Sequence, residues 1–231
     1  MKKSKNIKKI LESVDLTKIY EPLEAIKILK ENSYVKFQET LEVAINLSID
    51  TKKTDQNIRG MLNLPKGTGK NIRVAVMAKG DKANEAKDAG AELVGDSDLV
   101  DKISSGKIDF DLLIATPDMM PSIGKIAKIL GPKGLMPNPK LGTVTQDIRT
   151  AVTNAKAGQV KFRNDKAGIV QAGIGKLSFN EQDLIENLKA FYSLINKSKP
   201  EAVKASFIKK VTIASTMGFG LEINAGDLHI S

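Results

Sequence analysis

Residues 39–50, "ETLEVAINLSID", alternate apolar with small or polar side chains without a break. The apolar positions share one parity and are Leu41, Val43, Ile45, Leu47 and Ile49. Such alternation is typical of a β-strand that buries one face, as strands of antiparallel sheets do. Thr40 and Glu42 have the other parity, so we expect them on the exposed face of this strand together with Lys36.

A different rhythm fills the segment from residue 68 to residue 159. Three apolar runs typical of buried strands alternate with helical patterns, and these runs are "IRVAVMA", "AELVG" and "FDLLIA". Gly90 and Gly106 mark the ends of the first two helical patterns. Strands and helices that alternate at this spacing predict a parallel sheet covered by helices, in a small Rossmann-like domain.

The segment from residue 160 onward returns to antiparallel patterns. The stretches "QVKFRN" and "GIVQAGI" flank the turn "DKA" and are predicted to form a hairpin. A helix follows, opened by a capping box of Ser178 and Glu181. Its apolar residues recur at helical spacing, which favours a core role for its aromatics over a stacking platform. They are Leu184, Ile185, Leu188, Phe191, Tyr192 and Ile195.

The two ends of the chain are expected to build one domain. Residues 7–32 carry two short helical patterns, and strand patterns at 207–215 and 220–224 close the chain, but neither end has enough strands for its own sheet. We therefore predict a discontinuous domain of residues 1–67 and 160–231, with residues 68–159 inserted. The fold class is α/β: an α+β sandwich domain with an antiparallel sheet, plus an inserted Rossmann-like parallel domain. Glycines and lysines near 64–70 and 155–160 predict a double hinge.

The charge balance indicates a polyanionic partner. The 231 residues carry a net charge of +9 and a pI near 9.5. Residues 1–67 hold 13 basic and 9 acidic side chains, and residues 160–231 hold 10 and 7, so the discontinuous domain carries +7 of this charge. Any polyanion should therefore bind mainly there. Five lysines among the first nine residues fit either a solvated arm or an arm that follows phosphates.

Several function classes lack their sequence signals. The chain has no cysteine, its one histidine is His229, and no acidic or histidine cluster has metal-ligand spacing. The stretches "GTGK" and "GIGK" miss the first glycine and the final Ser or Thr of a phosphate-binding loop. We therefore expect no enzyme, no metal and no cofactor. No apolar run reaches the roughly 18 residues of a membrane span, so a cytoplasmic protein is expected.

Residues 131–143, "GPKGLMPNPKLGT", contain three glycines and three prolines. This stretch resembles the signature of the family of ribosomal protein L-one, the first protein of the large ribosomal subunit, in its bacterial form. The resemblance covers nearly the whole chain in the expected order. Its further segments are "KFQETLEVAINLSID", "DQNIRG", "RVAVMAKG", "FDLLIATPDMM", "KFRNDKAGIV" and "STMGFG".

The resemblance implies a function. Members of this family are structural constituents of the large subunit that bind 23S rRNA directly and form the mobile stalk at the tRNA exit site. They assist the release of deacylated tRNA, and bacterial members repress translation by binding their own operon mRNA. The implied partners are therefore rRNA, exit-site tRNA and that mRNA, with a free protein that is monomeric.

The resemblance also implies an rRNA-binding surface. Carried over position by position, it contains Lys36, Phe37, Thr40, Glu42, Ser215, Thr216, Met217 and Gly218. Lysine suits a phosphate, and the hydroxyl and carboxylate groups can read 2′-hydroxyls or exocyclic amines. Gly218 permits close approach to ribose, and the flexible Met217 suits sugar and base edges. Phe37 has the parity of the core, so the strand pattern and the resemblance disagree about it.

Three more lysines are RNA-proximal candidates of lower rank: Lys166 in the predicted hairpin turn, and Lys133 and Lys140 in the 131–143 loop. Lys210 is left out of this surface, because the resemblance implies a small polar residue at its position. The loop itself is expected to be stiff, since proline fixes φ and glycine permits turns closed to other residues. It serves either the relation of the two domains and the approach to tRNA, or only an αβ connection.

Two other function classes remain as alternatives. An enzyme acting on phosphorylated substrates would need a glycine-rich loop after "IRVAVMA", where "KGDKANEAKDAG" stands instead. A DNA-binding or scaffolding protein lacks a helix-turn-helix or zinc pattern to support it. Preference for RNA over duplex DNA separates these alternatives.

Overall fold

The computed structural model describes residues 10, 14–201, 203 and 206–228, apart from the side chain of residue 140. The N-terminal lysines and His229 lie outside the described residues. The chain divides into two compact units, one of Met1–Gly69 with Val160–Ser231 and one of Lys70–Gln159.

Ten strands and six α-helices are described. The strands are β1 (Ile19–Tyr20), β2 (Thr40–Leu47), β3 (Arg59–Asn63), β4 (Val74–Met77), β5 (Leu93–Gly95), β6 (Leu112–Ala115), β7 (Gln159–Arg163), β8 (Ile169–Lys176), β9 (Ile208–Ser215) and β10 (Gly220–Ile223). The helices are α1 (Pro22–Glu31), α2 (Asp81–Asp88), α3 (Ser97–Ser104), α4 (Met120–Leu130), α5 (Ile148–Lys156) and α6 (Glu181–Lys197).

The first unit is built on a five-stranded sheet of order β1-β10-β9-β2-β8. Four of its strands are antiparallel to their neighbours, and the two-residue β1 pairs parallel to β10. The antiparallel sheet predicted from residues 39–50 is therefore confirmed. Because β9 lies between β10 and β2, the C-terminal part of the chain forms the centre of the sheet.

One face of this sheet is covered by α1 and α6. All four odd-numbered apolar residues of β2 are buried, as the alternation predicts. Helix α1 begins at Pro22, whose missing N–H has no partner to lose at that position. The apolar face of α6 is buried as predicted, and its Phe191 packs edge-on against Phe162 of β7, with ring centroids 5.6 Å apart. The aromatics of α6 are therefore core residues.

The predicted hairpin in the third segment forms only at its turn. Asp165 N donates to Ile169 O at 2.9 Å and Asn164 bridges Val170, but beyond this point β7 pairs with β3 and β8 pairs with β2. Asn164 directs the chain away from hairpin pairing, because its backbone N–H donates to Ile58 O at 3.0 Å and its Oδ1 accepts from Ile58 N at 2.7 Å. The segment before β3 therefore bonds to the end of β7 at the position where β8 would continue the hairpin.

The predicted capping box is also wrong. Helix α6 begins at Glu181 after Asn180, and no side chain caps its first turn. The Ser178 hydroxyl instead accepts a hydrogen bond from Gln38 Nε2. A partner from the other end of the chain therefore replaces the local cap.

The second unit contains a parallel sheet of order β5-β4-β6, with helices on both faces. Helices α3 and α4 pack on one face and α2 and α5 on the other. Every residue of β4 and β6 is buried, as expected for strands covered on both sides. The Rossmann-like arrangement predicted for this segment is confirmed, and Gly90 and Gly106 follow α2 and α3 with φ of 89° and 84°.

Candidate nucleic-acid interface

The predicted site lies at the end of the first unit's sheet where β2 begins and β9 finishes. Leu41 and Ser215 are register partners, which brings Thr40 and Thr216 side by side. Thr40 N donates to Thr216 Oγ1 at 3.0 Å, and this hydroxyl donates to Thr40 O at 3.3 Å. A side chain therefore continues the ladder one step beyond the last backbone pair.

The Thr40 hydroxyl is oriented by a lysine on the neighbouring strand β8. Lys176 is the register partner of Thr40 on β8, and its Nζ donates to Thr40 Oγ1 at 3.1 Å and to Gln38 O at 3.4 Å. Since the ammonium group has no acceptor capacity, the hydroxyl proton of Thr40 points to another acceptor. Lys176 also places a positive charge beside the site.

Glu42 is exposed on the open face of β2 and has small neighbours. Its register partners are Gly173 on β8 and Ala214 on β9. Among the described residues no cationic side chain forms an ion pair with it. The carboxylate therefore keeps its acceptor capacity for a ligand that carries hydroxyl or amine donors.

The segment after β9 turns tightly. Gly218 N donates to Ser215 O at 3.0 Å, and a Cβ at Gly218 would lie 2.2 Å from Ser215 Oγ. The Ser215 side chain is buried beneath this turn, whereas Thr216 is exposed and Met217 is 51% exposed. Ser215 thus supports the turn, and Thr216 and Met217 present it to solvent.

Lys36 and Phe37 lie in a bend before β2, since the strand begins only at Thr40. Both side chains are exposed, Phe37 by 54%. The core assignment of Phe37 from strand parity is wrong, because parity does not extend through a bend. Tyr34 in the same segment is 40% exposed and donates its hydroxyl to Met217 O at 2.9 Å.

Three large exposed apolar side chains thus belong to the two segments that flank the site: Tyr34, Phe37 and Met217. Exposed aromatics can stack on unpaired bases, and methionine adapts to irregular surfaces. Sequence reasoning missed Tyr34 and Lys176, whose roles depend on partners more than a hundred residues away.

Lys210 does not present a free charge. Its Nζ forms an ion pair with Glu222 on the neighbouring strand β10, with an N···O distance of 2.5 Å. This local neutralisation weakens the case for a phosphate contact by Lys210.

Lys166 is not brought together with these residues. It lies in the turn between β7 and β8, and Gly168 of that turn accepts a hydrogen bond from Leu47 N at the far end of β2 from Thr40. The turn borders a cavity of about 460 Å³ that is also lined by Arg163 and Thr51.

The 131–143 loop belongs to the second unit. Thr143 is buried, its hydroxyl accepts from Asn138 N at 2.8 Å, and its carbonyl accepts from Ala115 N at 2.9 Å. These contacts attach the loop to the end of β6. Lys133 is exposed, and Lys140 lies in a short 3₁₀ turn, Pro139–Leu141, with its side chain outside the described residues.

In the described part of the chain, no group of three or more His, Cys, Asp or Glu side chains is arranged to hold a metal ion. Across the same residues, no helix combines the length and apolar character that crossing a membrane requires.

A protein-family model matches most of the chain. The model of the family described as "Ribosomal protein L1p/L10e family" matches residues 29–219. The match contains both segments that flank the Thr40–Thr216 pair, together with the whole of the second unit.

Proposed function

The chain belongs to the ribosomal protein L1p/L10e family, and from this premise we propose that it recognises structured RNA through the sheet end around Thr40 and Thr216. It is a ribosome-associated protein of the large subunit that binds rRNA, in a family that is structural rather than catalytic. The observation that carries the proposed site is the hydrogen-bonded pair itself, which sets hydroxyl, carboxylate, ammonium and exposed apolar groups side by side.

Each group of the site has a role that its geometry supports. The Thr40 hydroxyl donates outward because Lys176 already donates to its oxygen, and the Glu42 carboxylate accepts from a 2′-hydroxyl or an exocyclic amine. Lys36 approaches a phosphate as a point charge. Met217 and Phe37 pack against sugar and base surfaces.

The 2′-hydroxyl is the group that distinguishes RNA from DNA at such a surface. Recognition by hydroxyl and carboxylate groups loses little when salt screens the phosphates, whereas attraction by lysines alone falls steeply with salt. The site is therefore expected to favour structured RNA over duplex DNA at elevated salt.

The same surface is proposed to serve two RNAs. We propose that the protein forms the mobile stalk at the tRNA exit site, assists release of deacylated tRNA, and binds an rRNA-like site in its own operon mRNA. Because one surface would hold both rRNA and mRNA, their binding excludes each other. Free protein in excess of rRNA would then repress its own translation.

Movement of the stalk is proposed to use the two chain crossings as a hinge. The first crossing is attached to the first unit at Lys66 and Gly67, because buried Asn187 of α6 accepts from Lys66 N at 3.0 Å and donates to Gly67 O at 3.0 Å. Gly69 is also packed on this unit, since an added Cβ there would lie 2.8 Å from the Phe179 ring. Bending would therefore begin after Gly69.

The test is a titration of the full chain with the rRNA stalk fragment and with length-matched duplex DNA at several salt concentrations. The site variant is Thr216→Ala with Met217→Ala. Its matched control is Thr54→Ala, which truncates an exposed threonine in the segment after the far end of β2. RNA binding that survives salt, and that only the site variant loses, supports the proposal.

Equal and steeply salt-dependent binding to RNA and DNA would overturn the proposed site. A second assay addresses regulation: translation of the operon mRNA in vitro should fall as protein is added and recover when the stalk fragment is added. Repression that persists with excess stalk fragment would contradict one shared surface.

A further inference from the structure

A buried carboxyl group lies directly beneath the exposed turn of the proposed site. Glu39 precedes β2 and is 3% exposed. Its Oε1 accepts a hydrogen bond from Met217 N at 2.8 Å, and its Oε2 accepts from Ser33 Oγ at 2.6 Å. In the described part of the chain, no lysine or arginine forms an ion pair with it. Neutral donors alone therefore hold this buried acid.

Glu39 is itself fixed in place. Its backbone carbonyl accepts from Leu177 N at 3.0 Å, which ties it to the end of β8. Ser33 is joined to the end of α1, since its N–H donates to Lys30 O at 3.3 Å. Glu39 thus connects the end of α1 to the turn after β9 through its carboxyl group, and it joins the end of β8 through its backbone carbonyl.

The main chain of Met217 is held from both sides by the segment before β2. Glu39 accepts from its N–H, and the Tyr34 hydroxyl donates to its carbonyl oxygen at 2.9 Å. The side chain of Met217 nevertheless remains 51% exposed. The arrangement fixes the backbone while it leaves the side chain free for contact.

The buried position of Glu39 is visible in the sequence pattern. Glu39 has the same parity as Leu41 and Val43, so it is a charged residue in the buried register of the strand. Acids are almost never fully buried unless they are hydrogen-bonded or paired, and here both oxygens are hydrogen-bonded. Such a group serves the geometry of its partners.

We propose that Glu39 is a positioning residue for RNA recognition: it holds the Thr216–Gly218 turn in its binding conformation without touching RNA. This inference rests on the RNA-binding function proposed above. A turn that is ordered before binding loses less conformational entropy when RNA binds, and that gain appears mainly as slower dissociation.

Substitution of Glu39 separates positioning from charge. Glu39→Gln keeps an oxygen to accept from Met217 N and gains an amide that can donate to Ser33 Oγ, so it should bind the stalk fragment within about twofold of the unchanged protein. Glu39→Ala loses both contacts and should bind about tenfold more weakly, with faster dissociation. Charge alone predicts the reverse, because removing an acid near RNA would strengthen binding in both variants.

Two further measurements exclude a general loss of structure. The slope of log affinity against log salt should stay unchanged in Glu39→Ala, because no phosphate contact is lost. Amide exchange of Met217 should accelerate while exchange in β2 and β9 does not. Tyr34→Phe, which removes only a hydroxyl from a 40% exposed residue, should weaken binding about threefold in a folded protein.

The outcomes distinguish this inference from the proposed function. Specific RNA binding that Thr216→Ala with Met217→Ala abolishes, combined with unchanged binding by Glu39→Ala and Tyr34→Phe, would overturn positioning alone. An equal loss of RNA affinity in Glu39→Gln and Glu39→Ala would also overturn it, since Glu39→Gln keeps the hydrogen bonds and must therefore keep the affinity. If the unchanged protein does not prefer RNA to DNA, the proposed function is contradicted. The positioning role of Glu39 is then contradicted too, because it rests on that function.

Discussion

The Thr216 hydroxyl accepts a hydrogen bond from the Thr40 backbone N–H and donates one to the Thr40 carbonyl. One side chain thereby occupies both main-chain groups at the start of β2. The exposed turn that follows β9 can leave the sheet without leaving unpaired groups behind, so a stability contact and a proposed recognition surface share the same residue.

Replacing Thr216 with Val should test this dual role. The shape is kept but Thr40 N loses its acceptor, so we expect the free energy of unfolding to fall by about 1–2 kcal/mol. Urea unfolding provides the measurement. Thr212→Val on the open face of β9 is the control, because the described residues offer no partner to its hydroxyl, and it should stay within about 0.5 kcal/mol. An equal loss in both variants would contradict the prediction.

Lys36→Met should change the salt dependence of RNA binding. One phosphate contact contributes about 0.7–0.9 to the slope of log affinity against log salt, so the slope should decrease by that amount. Titrations of the stalk fragment at several salt concentrations measure it. Lys52→Met, which removes another exposed lysine, should leave the slope unchanged. A slope that Lys36→Met does not alter would remove this residue from the phosphate contacts.

Asn187→Leu should destabilise the first unit strongly. The buried amide satisfies Lys66 N, Gly67 O and Ile174 O, and a leucine of similar size leaves all three backbone groups unpaired. We expect a loss of about 2–4 kcal/mol in urea unfolding. Asn196→Leu, exposed near the end of the same helix, is the matched control. A loss below about 1 kcal/mol would indicate that water replaces the amide.

Glu92→Gln should alter the acid stability of the second unit. Burial raises the pKa of Glu92. Hydrogen bonds from Lys156 and from Val74 N lower the pKa by more than burial raises it, so the pKa lies below the ordinary value of 4.5. A lowered folded pKa gives stability that is present above the unfolded pKa and is lost as pH falls through the folded pKa.

The difference in unfolding free energy between the unchanged protein and Glu92→Gln should therefore be constant near neutral pH and shrink in acid, below about pH 4.5. Urea unfolding from pH 3 to pH 7 would measure it. In a Lys156→Met background the same difference should depend less on pH, because one of the groups that lower the pKa is gone. A difference that grows in acid would have the wrong sign.

Local sequence patterns correctly predicted the elements whose secondary structure does not depend on a particular residue elsewhere in the chain. The alternation in residues 39–50 was sufficient for β2, and helical spacing was sufficient for the buried face of α6. Hairpin pairing stops at its turn because Asn164 bonds to Ile58, and the capping box is absent because Ser178 bonds to Gln38; both partners are distant in sequence. Long-range competition of this kind leaves no local signal.

The proposed site was accessible to sequence only in part. Parity indicated that Thr40 and Glu42 share an exposed face, and the resemblance supplied the turn after β9. Lys176 and Tyr34 could not be assigned, since each acts on a residue that the fold alone brings near. Glu39 was detectable as an acid in the buried register, but its partner was not.

The sheet order also determines when β2 can pair with its neighbours during translation. Strand β2 has only β8 and β9 as neighbours, and both are made after the whole second unit. At about 5–20 residues per second, the roughly 120 residues between β2 and β8 take about 6–24 s to translate. The second unit can complete its own parallel sheet during that time, while the apolar face of β2 waits without a partner. The apolar face of β2 therefore stays uncovered during translation for longer than that of any strand in the unit that interrupts it.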